Sequence, residues 1–546
     1  TERWFTARSP RAVWNFIESC TAKSSATWVF AHNMHFDFFI IHGFPEAEKR
    51  GWKLKQFVLE PDVFIVKFIK PNKTLVFVDT FNYVKASVKQ LGKAVNLNKL
   101  SVDFKSCTDD ELERYCQRDV EIIKRFVLSL IEFLKCNDLG SFAFSLGGIA
   151  LNVFRHRFMK EKIFIHKHSK ALELEKTAYR GGRNECFKLG EFKGENFYKL
   201  DVNSMYPYVM LSNRFPVKLV KVEENPTLEG LKRAVKRFAV IADVEIEVSK
   251  PVIGLKLKKL IFPLGRFRAT LCSPELELVE KYGKIVRVFS YALYECKEIF
   301  SDYVRYLYNE REEFKKQGNK VFELICKLLL NSLYGKFGQK RYRLEVVGEG
   351  VNLPEGAMDL VSEVTGQRFR VWVLENVMYR IVEDGYTSHS FLAIPAFVTA
   401  YARCYLWDLM EKAGLENVYY VDTDSLIVNQ SGYENLKHLV NPSQIGLLKL
   451  EKVSDYLKIE GAKQYTMGSE VKRKGVKKEA VQLDCKTFQQ PVFKKAKGLL
   501  KERIFDKVVV VNQVKQLKNN YDKGIVEKDG TVKPFSLPEQ SSLLPQ

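Results

Sequence analysis

Residues 420–428 read YVDTDSLIV, with two aspartates one residue apart in an otherwise apolar run. Asp422, Thr423, Asp424 and Ser425 are turn-forming residues between two β-prone segments, which predicts a hairpin with two carboxylates at its tip. Two carboxylates close together in a poorly solvated site repel each other unless one keeps its proton or a divalent cation lies between them. Considered alone, such a D-x-D sequence is more often an ordinary turn that points into solvent.

Residues 198–210, YKLDVNSMYPYVM, place a third carboxylate, Asp201, at the end of an apolar strand. Taken alone, Asp201 is equally a strand-ending residue that caps the following helix. Three carboxylates from two separate strands, however, would make a two-metal site for phosphoryl transfer. The pair of stretches therefore favours a catalytic site over two unrelated turns.

Residues 321–338, VFELICKLLLNSLYGKFG, have helical periodicity. Lys327, Asn331 and Tyr334 share one face of this predicted helix, and Gly335 ends or loosens it. A lone lysine on a helix is usually just solvated, but this mixed polar and aromatic stripe suits a nucleotide. A preceding helix brings Arg311 roughly level with Lys327, so both cations could hold a triphosphate, with Lys315 and Lys316 as rivals to Arg311.

With these stretches together, the sequence resembles family B DNA polymerases. DVNSMYP (201–207) is similar to motif A, with Met205 in place of Leu; KLLLNSLYG (327–335) is similar to motif B, YVDTDS (420–425) to motif C and KQY (463–465) to the KxY motif. The order and spacing agree with the family. The resemblance implies two Mg²⁺ ions (or Mn²⁺) held by Asp201, Asp424 and the adjacent Asp422, with Lys327 as a further catalytic residue.

The same resemblance implies the binding residues. Those expected to contact the incoming nucleotide are Val202, Ser204, Tyr206, Arg311, Lys327, Asn331, Tyr334 and Gly335. Lys463 and Tyr465 would hold the primer terminus. YRGG at 179–182 is like the family's YxGG motif, which implies DNA binding by Tyr179, Arg180, Gly181 and Gly182; the alternative is a plain Gly-Gly hinge.

The N-terminal part resembles the family's 3′–5′ exonuclease. Its matching residues are Asn33, Phe36 and Asp37 in AHNMHFDFF, and Tyr115 and Asp119 in YCQRDV. The family's first exonuclease motif, DxE, should precede Asn33, but residues 1–32 contain no Asp. Since the sequence begins with Thr1, we expect that a strand carrying DxE was lost from a fragment, and exonuclease activity stays open.

The composition fits a nucleic-acid partner. The chain has 546 residues with 87 Lys+Arg against 66 Asp+Glu, a formal net charge of +21, and residues 471–546 alone carry 17 basic and 8 acidic residues. A merely soluble cationic protein is the alternative. The ten cysteines are scattered and have no zinc-ligand spacing, so we expect no zinc site and a reducing intracellular compartment, either the host cytoplasm or an organelle. No apolar run is long enough to span a membrane, so we expect no membrane partner.

The expected fold class is an α/β multidomain right-hand polymerase (palm, fingers, thumb) preceded by an incomplete ribonuclease H-like 3′–5′ exonuclease domain. The predicted segments are 1–140 exonuclease-like, 141–190 connector with YRGG, 191–301 palm with an insertion, 302–337 fingers, 338–390 a second insertion, 391–474 palm and 475–546 thumb. The resemblance implies a polymerase that extends primed DNA templates with dNTPs.

The resemblance is greatest to the protein-primed branch of phages, linear plasmids and other mobile elements, which implies a terminal protein as primer. The alternatives are a conventionally primed family B polymerase, a catalytically silent DNA-binding replication scaffold of the same fold, and a nuclease that mainly degrades DNA.

Overall fold

A computed structural model describes residues 2–60, 63–350, 353, 356–361, 366, 368–374, 376–494, 496–502, 504, 507, 509–517 and 521–537. The helices are α1 Pro10–Ser19, α2 Met34–Ile40, α3 Gly43–Lys49, α4 Val88–Ala94, α5 Asp109–Cys136, α6 Leu146–Val153, α7 Ser169–Ala178, α8 Met205–Ser212, α9 Leu228–Val235, α10 Ser273–Tyr282, α11 Ser301–Lys316, α12 Lys320–Lys336, α13 Ala393–Ala413, α14 Gln430–Leu436 and α15 Ala496–Lys501. Within the described ranges, no helix combines the length and hydropathy needed to cross a membrane.

The strands follow the same chain order. They are β1 Ser25–Ala31, β2 Lys53–Glu60, β3 Val63–Lys70, β4 Lys73–Asp79, β5 Asn184–Cys186, β6 Gly190–Val202, β7 Phe215–Glu224, β8 Ala239–Val248, β9 Leu255–Lys256, β10 Leu260–Ile261, β11 Leu264–Cys272, β12 Gly283–Lys297, β13 Lys340–Glu349, β14 Gly356–Val361, β15 Arg368–Leu374, β16 Val377–Tyr386, β17 Val418–Asp422, β18 Ser425–Asn429, β19 Leu448–Gly461, β20 Gln464–Met467, β21 Glu470–Lys472, β22 Val481–Gln482, β23 Thr487–Phe493, β24 Val510–Gln516, β25 Ile525–Val526, β26 Val532–Lys533 and β27 Ser536–Leu537.

The chain divides into two compact units, each built from three separate stretches. The first contains residues 1–157, 306–387 and 491–513, and the second contains residues 158–305, 388–490 and 514–546. Each unit combines residues from several of the seven segments predicted from the sequence. Residues of the predicted fingers and second insertion belong to the same unit as the predicted exonuclease, and the predicted thumb is shared between both units.

The first unit is built on a sheet in the order β1-β4-β3-β2. β1 and β4 run parallel and the other pairs are antiparallel, as a β-α-β crossover followed by hairpins requires. Its core is rich in aromatic residues, including Trp14, Phe38 and Phe68. Trp372 and Tyr379, from the separate sheet β13-β16-β15-β14, are buried in the same core, so this second sheet belongs to the unit's hydrophobic interior.

The second unit contains a seven-stranded sheet in the order β21-β20-β19-β6-β18-β17-β5 and a five-stranded sheet in the order β27-β11-β8-β12-β7. Helix α13 is apolar on nearly all sides and is buried along most of its length, as its sequence predicts. The short strand β27 pairs in parallel with β11, so the end of the described chain completes this five-stranded sheet. The seven-stranded sheet carries the aspartate hairpin.

Candidate active site

The hairpin at 418–429 forms as its sequence predicts. β17 and β18 pair antiparallel, with Asp422 opposite Ser425. Thr423 has a left-handed backbone (φ 65°), and the amide of Asp424 donates to the carbonyl of Asp422 at 2.8 Å, which closes the turn. A β-branched residue with positive φ is uncommon, and such conformations persist where the surroundings impose them.

Strand β6 brings Asp201 beside this turn. β18 pairs antiparallel with β6, and Ser425 lies opposite Asp201. The amide of Val202 donates to the carbonyl of Asp424 at 2.7 Å, which locks the two strand ends together. The three aspartates are half-buried at the ends of neighbouring strands and line one cleft.

The residues of the KxY motif line the same cleft. Lys463 Nζ lies 3.6 Å from Asp422 Oδ1, and its backbone amide donates to the Tyr420 hydroxyl at 3.0 Å. The rings of Tyr420 and Tyr465 are 5.5 Å apart between centroids. Burial, followed by the charge of Asp422, raises the pKa of Tyr420, so this phenol stays neutral and provides a fixed hydroxyl. The lysine supplies one compensating charge for the aspartate pair.

Lys199, which the sequence reasoning missed, is a second cation lining this cleft. Its ammonium lies 2.9 Å from Glu451 and 3.4 Å from Glu470. Burial disfavours the charge, but these carboxylates raise the pKa of Lys199 above its ordinary value. Lys199 lies two residues before Asp201 on one strand, so the alternation of strand side chains was a signal that could have found it.

The donor set of the cleft fits a hard divalent cation, because Mg²⁺ prefers carboxylate and carbonyl oxygens. Among the described residues, no three His, Cys, Asp or Glu side chains already converge to hold a metal ion. Asp201, Asp422 and Asp424 supply carboxylate oxygens at neighbouring strand ends. The three aspartates fit the cation by their chemistry and their common cleft.

The remaining residues of motif A follow β6. Ser204 has a left-handed backbone (φ 56°) and begins helix α8, which carries Tyr206. Tyr206 is half-buried and packs against the hydrophobic core of the second unit. The turn therefore fixes the direction of the Tyr206 side chain relative to its own strand.

Helix α12, in the first unit, presents the predicted polar stripe. Lys327 and Gly335 are exposed and Asn331 and Tyr334 half-buried, whereas the apolar face of the helix is buried. The triphosphate contact of Arg311 stays a prediction. The Arg311 side chain is only 13% exposed and lies 3.8 Å from Glu323, so its guanidinium is engaged between α11 and α12.

The exonuclease-like residues lie in the first unit. The backbone amide of Asn33 donates to Asp79 Oδ1 at 3.1 Å, and Phe36 is exposed. Burial, and then the charge of Asp79, raises the pKa of Asp37 to about 6. Asp79, which ends β4, was missed by sequence reasoning; a strand-ending Asp was the available signal.

The second exonuclease-like pair lies on α5. Lys99, also missed, forms an ion pair with Asp119, and its ammonium lies 4.2 Å from the centre of the Tyr115 ring. The two glutamates that precede Asn33 are engaged elsewhere. Glu2 pairs with Lys124, and Glu18 pairs with Arg50 and Lys70.

The YRGG residues lie beside the aspartate hairpin. The amide of Thr423 donates to the carbonyl of Arg183, the residue after Gly182, at 2.6 Å. The Arg180 side chain is buried and bonded to Glu275, so its guanidinium is turned into the protein interior and not toward a DNA phosphate. This corrects the expectation that the Arg180 side chain binds DNA.

Comparison with known proteins finds that the chain is similar to DNA polymerases. Residues 102–350 match the family described as DNA polymerase type B, organellar and viral. The probable DNA polymerase of Neurospora intermedia is 25% identical over 423 residues, 72% of this chain and 41% of that protein. The DNA-directed DNA polymerase of Enterobacteria phage PRD1 is 24% identical over 387 residues, 68% of this chain and 64% of that protein.

The chain spans 41%, 33% and 34% of the length of the relatives from Neurospora intermedia, Ascobolus immersus and Podospora anserina. Among solved structures, Phi29 DNA polymerase with primer-template DNA and incoming nucleotides has a TM-score of 0.67 at 20% identity, covering 90% of this chain and 91% of that one. Its orthorhombic crystal form gives 0.67 at 19% identity, covering 94% of each. The predicted α/β multidomain polymerase fold and the resemblance to family B are confirmed.

Proposed function

We propose that this chain, a relative of the organellar and viral type B DNA polymerases, is a template-directed DNA polymerase that adds dNTPs to a primer 3′-hydroxyl. The observation that carries the proposal is the register of β6 against β18. It brings Asp201 beside the Asp422–Asp424 turn, in a cleft that also contains Lys463 and Tyr465. Such a set of carboxylates with a neighbouring cation suits nucleotidyl transfer better than simple DNA binding.

The three aspartates would bind the metal ions that act on the primer hydroxyl and the triphosphate. Two Mg²⁺ ions, or Mn²⁺, bound by Asp201 and Asp424 with Asp422 beside them, would activate the primer hydroxyl and neutralise the leaving pyrophosphate. Lys463, 3.6 Å from Asp422, orients that carboxylate and offers its ammonium to a primer phosphate. Tyr465, whose ring packs at a tilt beside that of Tyr420, supports the primer terminus.

The exposed face of α12 binds the incoming nucleotide. Lys327 offers a point charge to the triphosphate, while Asn331, Tyr334 and Gly335 approach the sugar and base. Val202, Ser204 and Tyr206, at the motif A turn of the second unit, are proposed as nucleotide contacts in their own right, with the Tyr206 ring stacking on a sugar. Arg311 acts through Glu323, keeping α11 and α12 aligned.

We propose that the chain replicates a phage, plasmid or other mobile element and that its primer is a terminal protein. The sheet formed by Lys340–Tyr386 supports it, because this insertion lies where the protein-primed branch carries one. An assay without oligonucleotide primer, with and without the terminal protein of the same genetic element, tests the point. Attachment of labelled nucleotide to that protein is expected; extension from oligonucleotides alone favours the conventionally primed alternative.

Primer extension tests the polymerase proposal. Purified protein receives a primed template, dNTPs and Mg²⁺, beside Asp424→Ala and a control, Asp408→Ala, whose carboxylate is half-exposed and pairs with Lys412. We expect extension by the wild type and by Asp408→Ala, and a loss of at least about 1,000-fold in Asp424→Ala. If the wild type binds the template without extending the primer, the silent scaffold is correct instead.

A further inference from the structure

The loop that precedes β5 holds the aspartate turn from one side. The backbone of Arg183 accepts a hydrogen bond from the Thr423 amide at 2.6 Å. A Cβ atom on Gly182 would lie only 2.7 Å from Thr423 Cγ2, so loop and turn are in close contact. Since Thr423 lies between Asp422 and Asp424, the position of the loop sets the position of both carboxylates.

The same loop is held from its other side by a buried guanidinium. Arg403, on α13, donates from Nη1 to the carbonyl of Arg180 at 2.9 Å and to that of Gly181 at 3.0 Å. Its Nη2 donates to Glu275 Oε1 at 2.9 Å. The planar fork of an arginine can make these bonds together, whereas a lysine ammonium cannot reproduce their geometry.

Glu275 fixes both arginines. Arg180 Nη2 lies 3.1 Å from Glu275 Oε2 and also donates to the carbonyl of Thr270 at 2.9 Å. The side chains of Arg180, Glu275 and Arg403 are at most 4% exposed. Burial by itself would raise the pKa of Glu275, but the two guanidiniums hold it below its ordinary value, so the carboxylate stays charged.

A buried charge network of this kind is a poor source of stability. Removing three charges from water costs several kcal/mol per ion, and well-packed apolar residues often replace such networks without loss of stability. What the network does provide is a fixed direction for two backbone carbonyls of the loop. Its geometry therefore points to a role in positioning.

We propose that Arg403, held by Glu275, is a positioning residue for the Asp422–Asp424 turn. It fixes the carbonyls of Arg180 and Gly181, and through them the loop against which Thr423 packs. This inference rests on the proposed polymerase function for its catalytic consequence. Its structural consequence, the immobilisation of Thr423, is independent of any activity.

Two variants and a control at a more exposed arginine–carboxylate pair test the inference. Arg403→Lys keeps the charge beside Glu275 but loses the fork, and Glu275→Gln keeps the shape of the side chain but loses its charge. The control is Arg268→Lys, which breaks a bidentate pair with Asp243 in the five-stranded sheet. Hydrogen exchange of the peptide containing Thr423 is measured without metal, and the Mg²⁺ requirement and rate of single-nucleotide addition are measured on the same samples.

We expect exchange at Thr423 to become at least about 10-fold faster in Arg403→Lys, with a smaller change in Glu275→Gln and none in Arg268→Lys. The half-saturating Mg²⁺ concentration should rise about 5-fold while the affinity for primer-template DNA changes less than about 2-fold. The inference is overturned if both variants exchange as the wild type does, or if their exchange rises equally across the whole chain. A wild type that adds no nucleotide, with the expected exchange pattern, overturns the proposed function and leaves the positioning role intact.

Discussion

Asp422 and Asp424 show how far single residues could be predicted. Their place at a hairpin tip followed from the β-prone segments on either side, and the structure has that hairpin. The left-handed Thr423 between them did not follow, because a β-branched residue adopts positive φ only under tertiary constraint. The compensating Lys463 belongs to a distant stretch, so only its motif, and not its distance of 3.6 Å, could be anticipated.

Asp37 gives a prediction at the same scale. Burial and Asp79 raise its pKa to about 6 from 3.8, so in that pH window the folded protein keeps a proton that the unfolded chain has released. Stability should therefore fall as pH rises from about 4 to about 6 and stay lower above it. Asp37→Asn removes this penalty, and the gain in unfolding free energy over wild type should reach roughly 2–3 kcal/mol near pH 7.5.

Urea denaturation at about pH 4 and about pH 7.5, in the presence of a chelator, measures the effect of Asp37→Asn. The two proteins should differ little at the lower pH. An equal difference between them at both pH values would show that Asp37 titrates as an ordinary exposed carboxyl.

For helices and strands, the periodicity of the sequence predicted the elements themselves better than it predicted which side chains would pair between them. The amphipathic pattern of residues 321–338 correctly gave α12 and its polar stripe. The pattern could not show that Arg311 would form an ion pair with Glu323, because that pairing depends on how α11 packs against α12. In the same way, YRGG was recognisable, but the burial of Arg180 depends on Glu275 and on a guanidinium from α13.

The contact between the YRGG loop and the hairpin predicts the effect of Gly182→Ala. The new Cβ would lie 2.7 Å from Thr423 Cγ2, so the YRGG loop or the turn that carries Asp422 and Asp424 must shift. We expect the rate of nucleotide addition to fall about 10-fold or more in Gly182→Ala. The rate should recover in part in the double variant Gly182→Ala with Thr423→Ser, because serine lacks the Cγ2 methyl group of Thr423. Rates of single-nucleotide addition by the two variants measure this.

The control for Gly182→Ala is Gly461→Ala, where an added Cβ meets nothing within 4 Å. Its rate should match that of the wild type. Equal losses of rate in Gly182→Ala and Gly461→Ala would show that the loss comes from reduced backbone flexibility. An unchanged rate when Thr423→Ser is added to Gly182→Ala would show that the clash with Thr423 Cγ2 is not the cause.

At the scale of the whole molecule, the sequence motifs predicted the polymerase fold but not the grouping of its parts. Sequence motifs indicate local chemistry, whereas the two compact units depend on which apolar surfaces pack together. Trp372 and Tyr379 are buried with the N-terminal aromatic core, although nearly 300 residues separate them from it in sequence. Likewise β27 completes the sheet that begins with β7, so residues near the C-terminus contribute to the second unit.

Templated addition of a single nucleotide tests the proposed polymerase activity. Four primed templates that differ only in the next template base are each offered the four dNTPs separately, with Mg²⁺, using wild type and Asp201→Asn, Asp422→Asn and Asp424→Asn. We expect the wild type to add only the complementary nucleotide to each template and the Asp201 and Asp424 variants to add almost none. Addition independent of the template base, or undiminished addition by either of those variants, would contradict the proposed activity.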